Sequence, residues 1–214
     1  MTEATTTTPL CSIMHKYGSD KGLGRHNYTK EYYNLFNNRR FDVKTVFELG
    51  IGTTNMRMQS SMGASGVPGA SLRGWREFFP NAAIHGADMD RNVLIREERI
   101  ETHYVDSTSE LSVMSLWESP SLIPLKFDIM VDDCIHRAYS NFNFLINSYH
   151  KLNVGGVYII EDVLTKEENL NEYKYRLELL LKRVNFKYEI LNIPHPNNKI
   201  DNCIVKLTDF DVIK

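Results

Sequence analysis

The sequence has little of what marks a nucleic-acid-binding, membrane-spanning or disulfide-stabilised protein. Its 25 lysines and arginines against 27 aspartates and glutamates give a net charge of -2, so a basic nucleic-acid-binding face is not expected. No apolar run approaches the ~18 residues of a membrane span. Cys11, Cys134 and Cys203 are odd in number and widely spaced, which favours reduced thiols in a cytoplasmic protein.

The beginning of the chain also lacks the features of a secretory signal. The stretch MTEATTTTPL has neither a basic region nor an apolar segment. Its threonine run predicts that residues 1–12 form a disordered lead-in. With 214 residues in all, the chain is long enough for one well-buried domain, which we expect to span residues 13–214.

Apolar runs alternate with helical patterns along the chain, which predicts an α/β fold with a doubly wound, mostly parallel sheet. Seven strands are expected, and a turn-rich link between the last two is typical of a C-terminal antiparallel hairpin. The predicted strands are residues 45–50, 83–88, 100–105, 127–131, 157–160, 188–193 and 202–207. The predicted helices are residues 28–38, 71–79, 111–117, 139–152 and 170–184, with Ser71 as the cap of the second.

Acidic side chains follow two of these strands where each strand ends. The run FDIMVDDCIH places Asp132, Asp133 and His136 after one strand, and VYIIED places Glu161 and Asp162 after the next. Because ligands bind beyond the carboxyl ends of strands in such sheets, these groups converge if the strands are neighbours. Clustered acids repel one another unless a cation lies between them, and hard oxygen ligands suit Mg²⁺ or Mn²⁺.

A plainer interpretation of the same residues stays open. Acids at strand ends also cap the next helix or bind ribose without any metal. A single histidine after a strand also serves in packing or capping.

A glycine turn follows the first predicted strand, in the stretch Glu48-Leu49-Gly50-Ile51-Gly52. Glycine lets the backbone approach a ligand without a Cβ clash. Asn55 stands where the dinucleotide fingerprint needs a third glycine, and there is no phosphate-binding G-x-x-x-x-G-K-[ST] motif. The E-x-G-x-G form instead matches the first motif of class I S-adenosylmethionine (SAM) methyltransferases. Glu48, Gly50 and Gly52 are therefore candidate cofactor-binding residues.

Three further acids are candidates for cofactor binding. Asp88 ends the second predicted strand, where an acid binds ribose hydroxyls in doubly wound folds, and Asp90 competes with it for that role. Asp106 follows the third strand, where adenine is contacted in such enzymes. The alternative for each acid is a helix N-cap.

Taken together, several motifs resemble the metal-dependent sugar O-methyltransferases of macrolide tailoring, namely the mycinamicin and macrocin O-methyltransferases. The resemblance covers about residues 17–162. The motifs are YGSDKG with His26 and Tyr28, ELGIG, SLRGW with the FP pair after it, GADMD, DDCIH and GGVYIIED. Related proteins occur in surface-glycan gene sets, so the resemblance also implies a role in glycan biosynthesis.

The resemblance implies roles for particular residues. Asp133 would be a metal ligand and a catalytic residue, His136 the general base, and Glu161 and Asp162 further metal ligands. Tyr17 and Lys21, from the first motif, would lie beside the cofactor. Cys134-Ile135 replaces the usual Gly-Ser pair, which is expected to reshape the site. The macrolide enzymes carry an extra N-terminal domain, so their oligomer and bulky substrate are not carried over.

The implied fold is the Rossmann-like class I methyltransferase fold, and the implied cofactors are SAM and Mg²⁺ or Mn²⁺. The predicted activity is methylation of a sugar hydroxyl on a nucleotide sugar, glycan or glycoside. We expect no nucleic-acid or membrane partner, and a homo-oligomer is compatible with the sequence. Residues 17–28 and 63–69 are candidate lids, with a structural N-terminal cap as the alternative for 17–28. Two alternative functions remain: a catechol-type O-methyltransferase and a non-catalytic SAM-binding partner subunit.

Overall fold

The structure is a computed structural model that describes residues 7–212, which form six α-helices, three short 3₁₀ helices and an eight-stranded sheet. The helices are α1 (Pro9–Tyr17), α2 (Tyr28–Phe36), α3 (Ala70–Phe78), α4 (Glu110–Trp117), α5 (Ala138–Ser148) and α6 (Glu167–Leu181). The strands are β1 (Thr45–Leu49), β2 (Ala83–Asp88), β3 (Arg96–Glu97), β4 (Ile100–Tyr104), β5 (Phe127–Asp132), β6 (Leu152–Val163), β7 (Val184–Asn192) and β8 (Cys203–Val212).

The sheet order is β3-β4-β2-β1-β5-β6-β8-β7. The five strands from β4 to β6 are parallel, and β8 lies antiparallel between β6 and β7. The predicted fold class and the C-terminal hairpin are therefore confirmed. All seven predicted strands are present, and the additional β3 is a two-residue strand antiparallel to β4, too short to give a periodic pattern.

The strand order reverses between β1 and β5. From β1 the chain runs outward to β2 and β4, and it then returns to add β5 and β6 on the other side. Leu49 pairs with Asp132, and Asp132 pairs with Ile160. The glycine turn after β1 and both acidic runs therefore meet at one edge of the sheet, which is the edge where doubly wound folds bind ligands.

Alternation along the strands sends apolar side chains to both faces of the sheet. Phe47 and Leu49 pack with one buried cluster, together with residues of α4, α5 and α6. Val46 packs with a second cluster on the opposite face, together with residues of α1, α2 and α3. Each fully buried large apolar side chain contributes roughly 1.5–3 kcal/mol. The two clusters hold the loops at the strand ends from both sides.

Part of the predicted disordered lead-in is helical. Residues 1–6 lie outside the described residues, but α1 already begins at Pro9. The Thr8 hydroxyl accepts a hydrogen bond from the Cys11 backbone amide at 3.2 Å, and Leu10 is buried in the second cluster. The prediction of disorder was wrong for residues 9–12. The threonine run favours disorder, and only a few apolar residues after it mark the short helix.

Ser71 does not cap α3. The helix begins one residue earlier, at Ala70, after Gly69 in a left-handed conformation (φ 72°). The Ser71 hydroxyl instead donates to Oε1 of Glu48 at 2.7 Å, which ties α3 to β1. None of the helices within residues 7–212 is both long and apolar enough to cross a membrane.

Candidate active site

A cavity of about 430 Å³ lies at the edge of the sheet where β1, β5 and β6 end. Its walls come from the linker between α1 and α2 and from the linker between β1 and α3, which hold the two predicted lids. The predicted site residues that line it are Lys21, Gly50, Gly52, Asp133, His136 and Asp162. The cavity therefore joins the glycine turn to the acidic run after β5.

The glycine turn is shaped by two residues with positive φ, Gly50 at 82° and Gly52 at 86°. A Cβ on Gly50 would overlap the carbonyl oxygen of Asp133, so this glycine is required by packing between two strand ends. A Cβ on Gly52 would overlap the side chain of Met62. Met62 belongs to the β1–α3 linker and covers Gly52 from the cavity side.

Asp88 and Asp90 stabilise this turn through hydrogen bonds. Asp88 accepts hydrogen bonds from the backbone amides of Ile51 at 3.0 Å and Asp90 at 2.8 Å, and burial raises its pKa. Asp90 accepts a hydrogen bond from the Thr53 hydroxyl at 2.5 Å. Both carboxylates have local partners, so their contacts to a ribose stay predictions.

Asp106 makes a local turn rather than a helix cap. Its Oδ1 accepts hydrogen bonds from the Thr108 backbone amide at 2.9 Å and the Thr108 hydroxyl at 2.7 Å. The N-cap of α4 is Ser109, whose hydroxyl accepts from the Ser112 amide. The adenine contact of Asp106 stays a prediction.

Asp133, His136 and Asp162 converge at one end of the cavity. One ligand atom from each lies within 4.8 Å of the others, and Nε2 of His136 is 3.6 Å from Oδ2 of Asp162. Both His136 and Asp162 have a φ of 53°. A left-handed backbone at a residue other than glycine is strained, and such strain is concentrated at functional sites.

Glu161 does not join this group. The Glu161 side chain is buried, at 1% exposure. It accepts hydrogen bonds from the Tyr32 hydroxyl and from the Lys21 ammonium. Glu161 shares the Lys21 ammonium with Asp133, and its predicted role as a metal ligand stays a prediction.

Lys21 supplies the cation that the sequence led us to expect between the acids. Its side chain is 2% exposed, and Nζ lies 2.6 Å from Oδ2 of Asp133 and 3.2 Å from Oε1 of Glu48. It also forms an ion pair with Glu161. Burial by itself would lower the pKa of Lys21, but the three carboxylates outweigh burial and hold it well above its usual value.

Two predicted cofactor residues have other roles in the structure. Glu48 is buried and accepts a hydrogen bond from the Trp75 indole at 2.5 Å, and burial raises its pKa. The Tyr17 hydroxyl donates to Glu77 on α3 at 2.7 Å. Neither residue lines the cavity.

The acid group has the properties of a divalent-cation site. Burial raises the pKa of Asp133 against the opposing effect of Lys21, and burial likewise raises the pKa of Asp162 against that of His136. Added positive charge would therefore favour the carboxylate forms. Within residues 7–212, Nδ1 of His136 is buried without a hydrogen-bond partner. The two carboxylates are hard oxygen ligands, which suit Mg²⁺ or Mn²⁺.

The structure brings further residues to this site, and of these the sequence singled out only His26, as the next candidate base after His136. Tyr28 donates to Oδ1 of Asp162 at 2.8 Å, and Nε2 of His26 is 3.5 Å from the same oxygen. Asp20, Arg25 and Asp201 also line the cavity. His26 and Tyr28 lie in the first motif, whereas Asp201 precedes β8 and has no local sequence signal.

The sheet order, with its antiparallel strands at the C-terminal end, matches the class I methyltransferase fold. Among solved structures, the chain resembles the MycE methyltransferase of the mycinamycin biosynthetic pathway, solved with Mg, S-adenosylhomocysteine and mycinamycin VI. The TM-score is 0.71 at 19% identity, and the match covers 96% of this chain and 55% of MycE.

Comparison of sequences gives named relatives. The chain is 30% identical over 156 residues to the 8-demethyl-8-alpha-L-rhamnosyl tetracenomycin-C 2'-O-methyltransferase of Streptomyces olivaceus. The match covers 73% of this chain and 38% of that protein. It is also 30% identical over 159 residues to the mycinamicin VI 2''-O-methyltransferase of Micromonospora griseorubida. That match covers 73% of this chain and 36% of the relative.

The demethylmacrocin O-methyltransferase of Streptomyces fradiae is 29% identical over 161 residues, with 73% of this chain and 36% of that protein covered. The chain therefore spans less than half the length of these curated relatives. No protein-family model matches it. The resemblance to the macrocin and mycinamicin O-methyltransferases is confirmed.

Proposed function

We propose that the protein is a SAM-dependent, divalent-metal-dependent O-methyltransferase that acts on a sugar hydroxyl. The observation that carries this proposal is the convergence of Asp133, His136 and Asp162 at the end of a cavity that begins at the glycine turn. The relatives support it because two of their names place the methyl group on a 2' or 2'' oxygen, and one of these names a rhamnosyl group.

In this proposal SAM lies against Gly50 and Gly52, in the turn that Asp88 braces. Met62 covers Gly52, so its flexible thioether side chain moves aside or packs against the bound cofactor. Both linkers that wall the cavity then exclude water from the reacting atoms.

Asp133 and Asp162 would hold the divalent cation with their carboxylate oxygens, and Glu161 is the third predicted ligand. A divalent cation at such a site lowers the pKa of a hydroxyl and orients it. His136 faces the same space and accepts the proton of the acceptor hydroxyl, and general-base catalysis of this kind contributes ~10²–10⁴-fold. The hydroxyl oxygen then displaces S-adenosylhomocysteine from the methyl carbon.

A cytoplasmic location is part of the proposal. Cys11, Cys134 and Cys203 are all buried and free, as expected for thiols kept reduced.

The test is an acceptor screen with SAM and Mn²⁺, in which methylated products are measured by mass spectrometry. The panel contains nucleotide sugars, simple glycosides and a catechol. We expect methylation of at least one sugar hydroxyl and none of the catechol. Turnover of the catechol alone would make the protein a catechol-type enzyme. SAM binding without transfer to any acceptor, in a protein that also binds Mn²⁺, would favour the partner-subunit alternative.

A further inference from the structure

The loop between β7 and β8, residues 193–202, reaches the cavity from the C-terminal side of the sheet. The Asn27 side chain donates a hydrogen bond to the carbonyl oxygen of Pro194 at 2.6 Å. The Thr165 backbone amide donates to the carbonyl oxygen of Ile200 at 2.9 Å. The loop is therefore bonded both to the α1–α2 linker and to the segment after β6, and a loop held in this way can present a side chain for binding.

Asp201 brings a carboxylate from this loop into the cavity wall. Its Oδ1 accepts a hydrogen bond from the Asn198 side chain at 2.6 Å, and its backbone carbonyl oxygen accepts one from the Tyr28 hydroxyl at 2.6 Å. The same hydroxyl lies 2.8 Å from Oδ1 of Asp162. Asp201 is therefore held in place by other groups and is linked to the proposed metal site through a single hydroxyl.

The Arg25 guanidinium faces the second oxygen of this carboxylate. Its Nη2 lies 3.9 Å from Oδ2 of Asp201, which is too far for a hydrogen bond. The Arg25 side chain is 59% exposed and that of Asp201 is 17% exposed, and both residues line the cavity. In the part of the chain that the structure describes, neither the guanidinium nor this Oδ2 has a protein hydrogen-bond partner. A donor and an acceptor therefore face the cavity together.

A hydroxyl group matches this arrangement because it donates one hydrogen bond and accepts others. At a separation of 3.9 Å, one oxygen atom can lie within hydrogen-bond distance of both Nη2 and Oδ2. Hydrogen bonds to charged groups are also the stronger ones. A sugar ring that places one hydroxyl beside Asp162 carries further hydroxyls towards Arg25 and Asp201.

An anionic group on the acceptor is the other ligand that a guanidinium could bind. A phosphate or carboxylate in this position would lie against Oδ2 of Asp201 and close to Asp162, and like charges repel one another. A neutral hydroxyl meets no such repulsion. The pairing of a cation with an acid therefore favours a hydroxyl over an anion.

We propose that Arg25 and Asp201 form an acceptor-binding pair that recognises a sugar hydroxyl other than the one that is methylated. The inference rests on the proposed function, because it assigns the acceptor side of the same cavity. By binding a second hydroxyl, the pair selects which hydroxyl of the ring is presented to His136.

The experiment is steady-state kinetics with the sugar that is methylated in the acceptor screen. The variants are Asp201→Asn, Arg25→Gln and the double variant. We expect each single variant to raise the acceptor KM at least tenfold and to change kcat less than threefold, with SAM and Mn²⁺ affinities unchanged by calorimetry. The double variant should be no worse than the weaker single variant, because both side chains bind one hydroxyl.

Monodeoxy analogues of the same sugar identify the hydroxyl. A site built to bind a hydroxyl rejects the analogue that lacks it. The wild type should therefore lose at least tenfold in kcat/KM on one analogue that retains the methylated hydroxyl. The double variant should use that analogue and the parent sugar equally well, which a purely structural pair would not cause.

Matched controls come from an ion pair outside the cavity. Nη2 of Arg176 lies 2.8 Å from Oε1 of Glu172 on α6, and Arg176→Gln/Glu172→Gln should leave the acceptor KM unchanged. Melting curves accompany every variant. If Asp201→Asn loses its contact with Asn198 and does not fold, Arg25→Gln decides the question alone, because an exposed side chain of this kind contributes little to stability.

The inference is overturned if folded Arg25→Gln keeps the wild-type acceptor KM, or if the double variant rejects the deoxy analogue as strongly as the wild type does. It is also overturned if Arg25→Gln raises KM for nucleotide sugars and not for neutral glycosides, since the guanidinium would then bind an anion. A wild type that binds a sugar of the panel without methylating it would contradict the proposed function alone. Calorimetric affinities for that sugar then replace KM, and the same tenfold weakening supports the pair. A wild type that binds no sugar contradicts both.

Discussion

Nε2 of His136 lies 3.6 Å from Oδ2 of Asp162, and both residues hold a left-handed backbone with a φ of 53°. Such a conformation costs of order 1–3 kcal/mol at a residue other than glycine and persists only where its surroundings enforce it. This backbone conformation directs the imidazole of His136, from the loop after β5, and the carboxylate of Asp162, from β6, to the same space.

The first prediction concerns His136→Asn, chosen because asparagine tolerates the left-handed region. Loss of the base should lower kcat by roughly 10²–10⁴-fold, while SAM affinity stays close to that of the wild type. Steady-state kinetics and a melting curve on the same preparation check this. His15→Asn, at an exposed histidine of α1, should change neither quantity. A less stable His136→Asn protein with near-normal kcat would make the histidine structural, with His26 as the next candidate base.

The two glycines of the turn should respond differently to alanine. Gly52→Ala adds a Cβ where Met62 covers the turn, so we expect a folded protein with SAM affinity reduced at least tenfold by calorimetry. Gly50→Ala adds a Cβ against the backbone carbonyl of Asp133. A backbone carbonyl cannot move aside as a side chain can. That variant should mainly lose stability. Unchanged SAM affinity in folded Gly52→Ala would remove the cofactor from this turn.

A third prediction concerns stability and pH. Burial, together with the charge of His103, lowers the pKa of His85 to about 4 from its usual 6.5. Between those values the unfolded chain binds a proton at this position and the folded chain does not. The contribution of His85 is therefore present above pH 6.5 and is lost as pH falls towards 4.

We expect this loss to amount to roughly 1–3 kcal/mol. The measurement is urea unfolding at pH 7 and pH 5 for the wild type and His85→Gln. The variant should show the smaller fall in stability on acidification, whereas His15→Gln should match the wild type. Equal falls for His85→Gln and the wild type would show that His85 does not titrate in this way.

Much of the site was predictable from residues at strand ends. Parallel strands bring their carboxyl ends to one edge, so DDCIH and VYIIED had to converge once β5 and β6 were neighbours. The left-handed backbone of Asp162 and the register shift beside it interrupt the alternation of β6, so the directions of the Glu161 and Asp162 side chains could not be predicted from the sequence.

The role of Lys21 was not predictable from the sequence pattern. Its partners Asp133 and Glu161 lie 112 and 140 residues further along the chain, and nothing local to YGSDKG indicates a buried ammonium. The positive φ of Asp162 is likewise a tertiary feature, accompanied by a register shift between β6 and β8 next to Ile160 and Val163. The helix beginning at Pro9 was missed because only a few apolar residues after the threonine run mark it, and their burial comes from packing against other helices, including α3.

The central claim is that Asp133, His136 and Asp162 form a metal-dependent methyl-transfer site. Its most direct test is transfer of labelled methyl from SAM to a sugar acceptor found in the screen, measured during Mn²⁺ titration of chelator-treated protein. Asp162→Asn and the exposed-site control Asp42→Asn are titrated in parallel. We predict no transfer without Mn²⁺, full transfer on its addition for the wild type and Asp42→Asn, and at least a hundredfold lower rate for Asp162→Asn. Undiminished transfer by the fully chelated wild type would contradict the account.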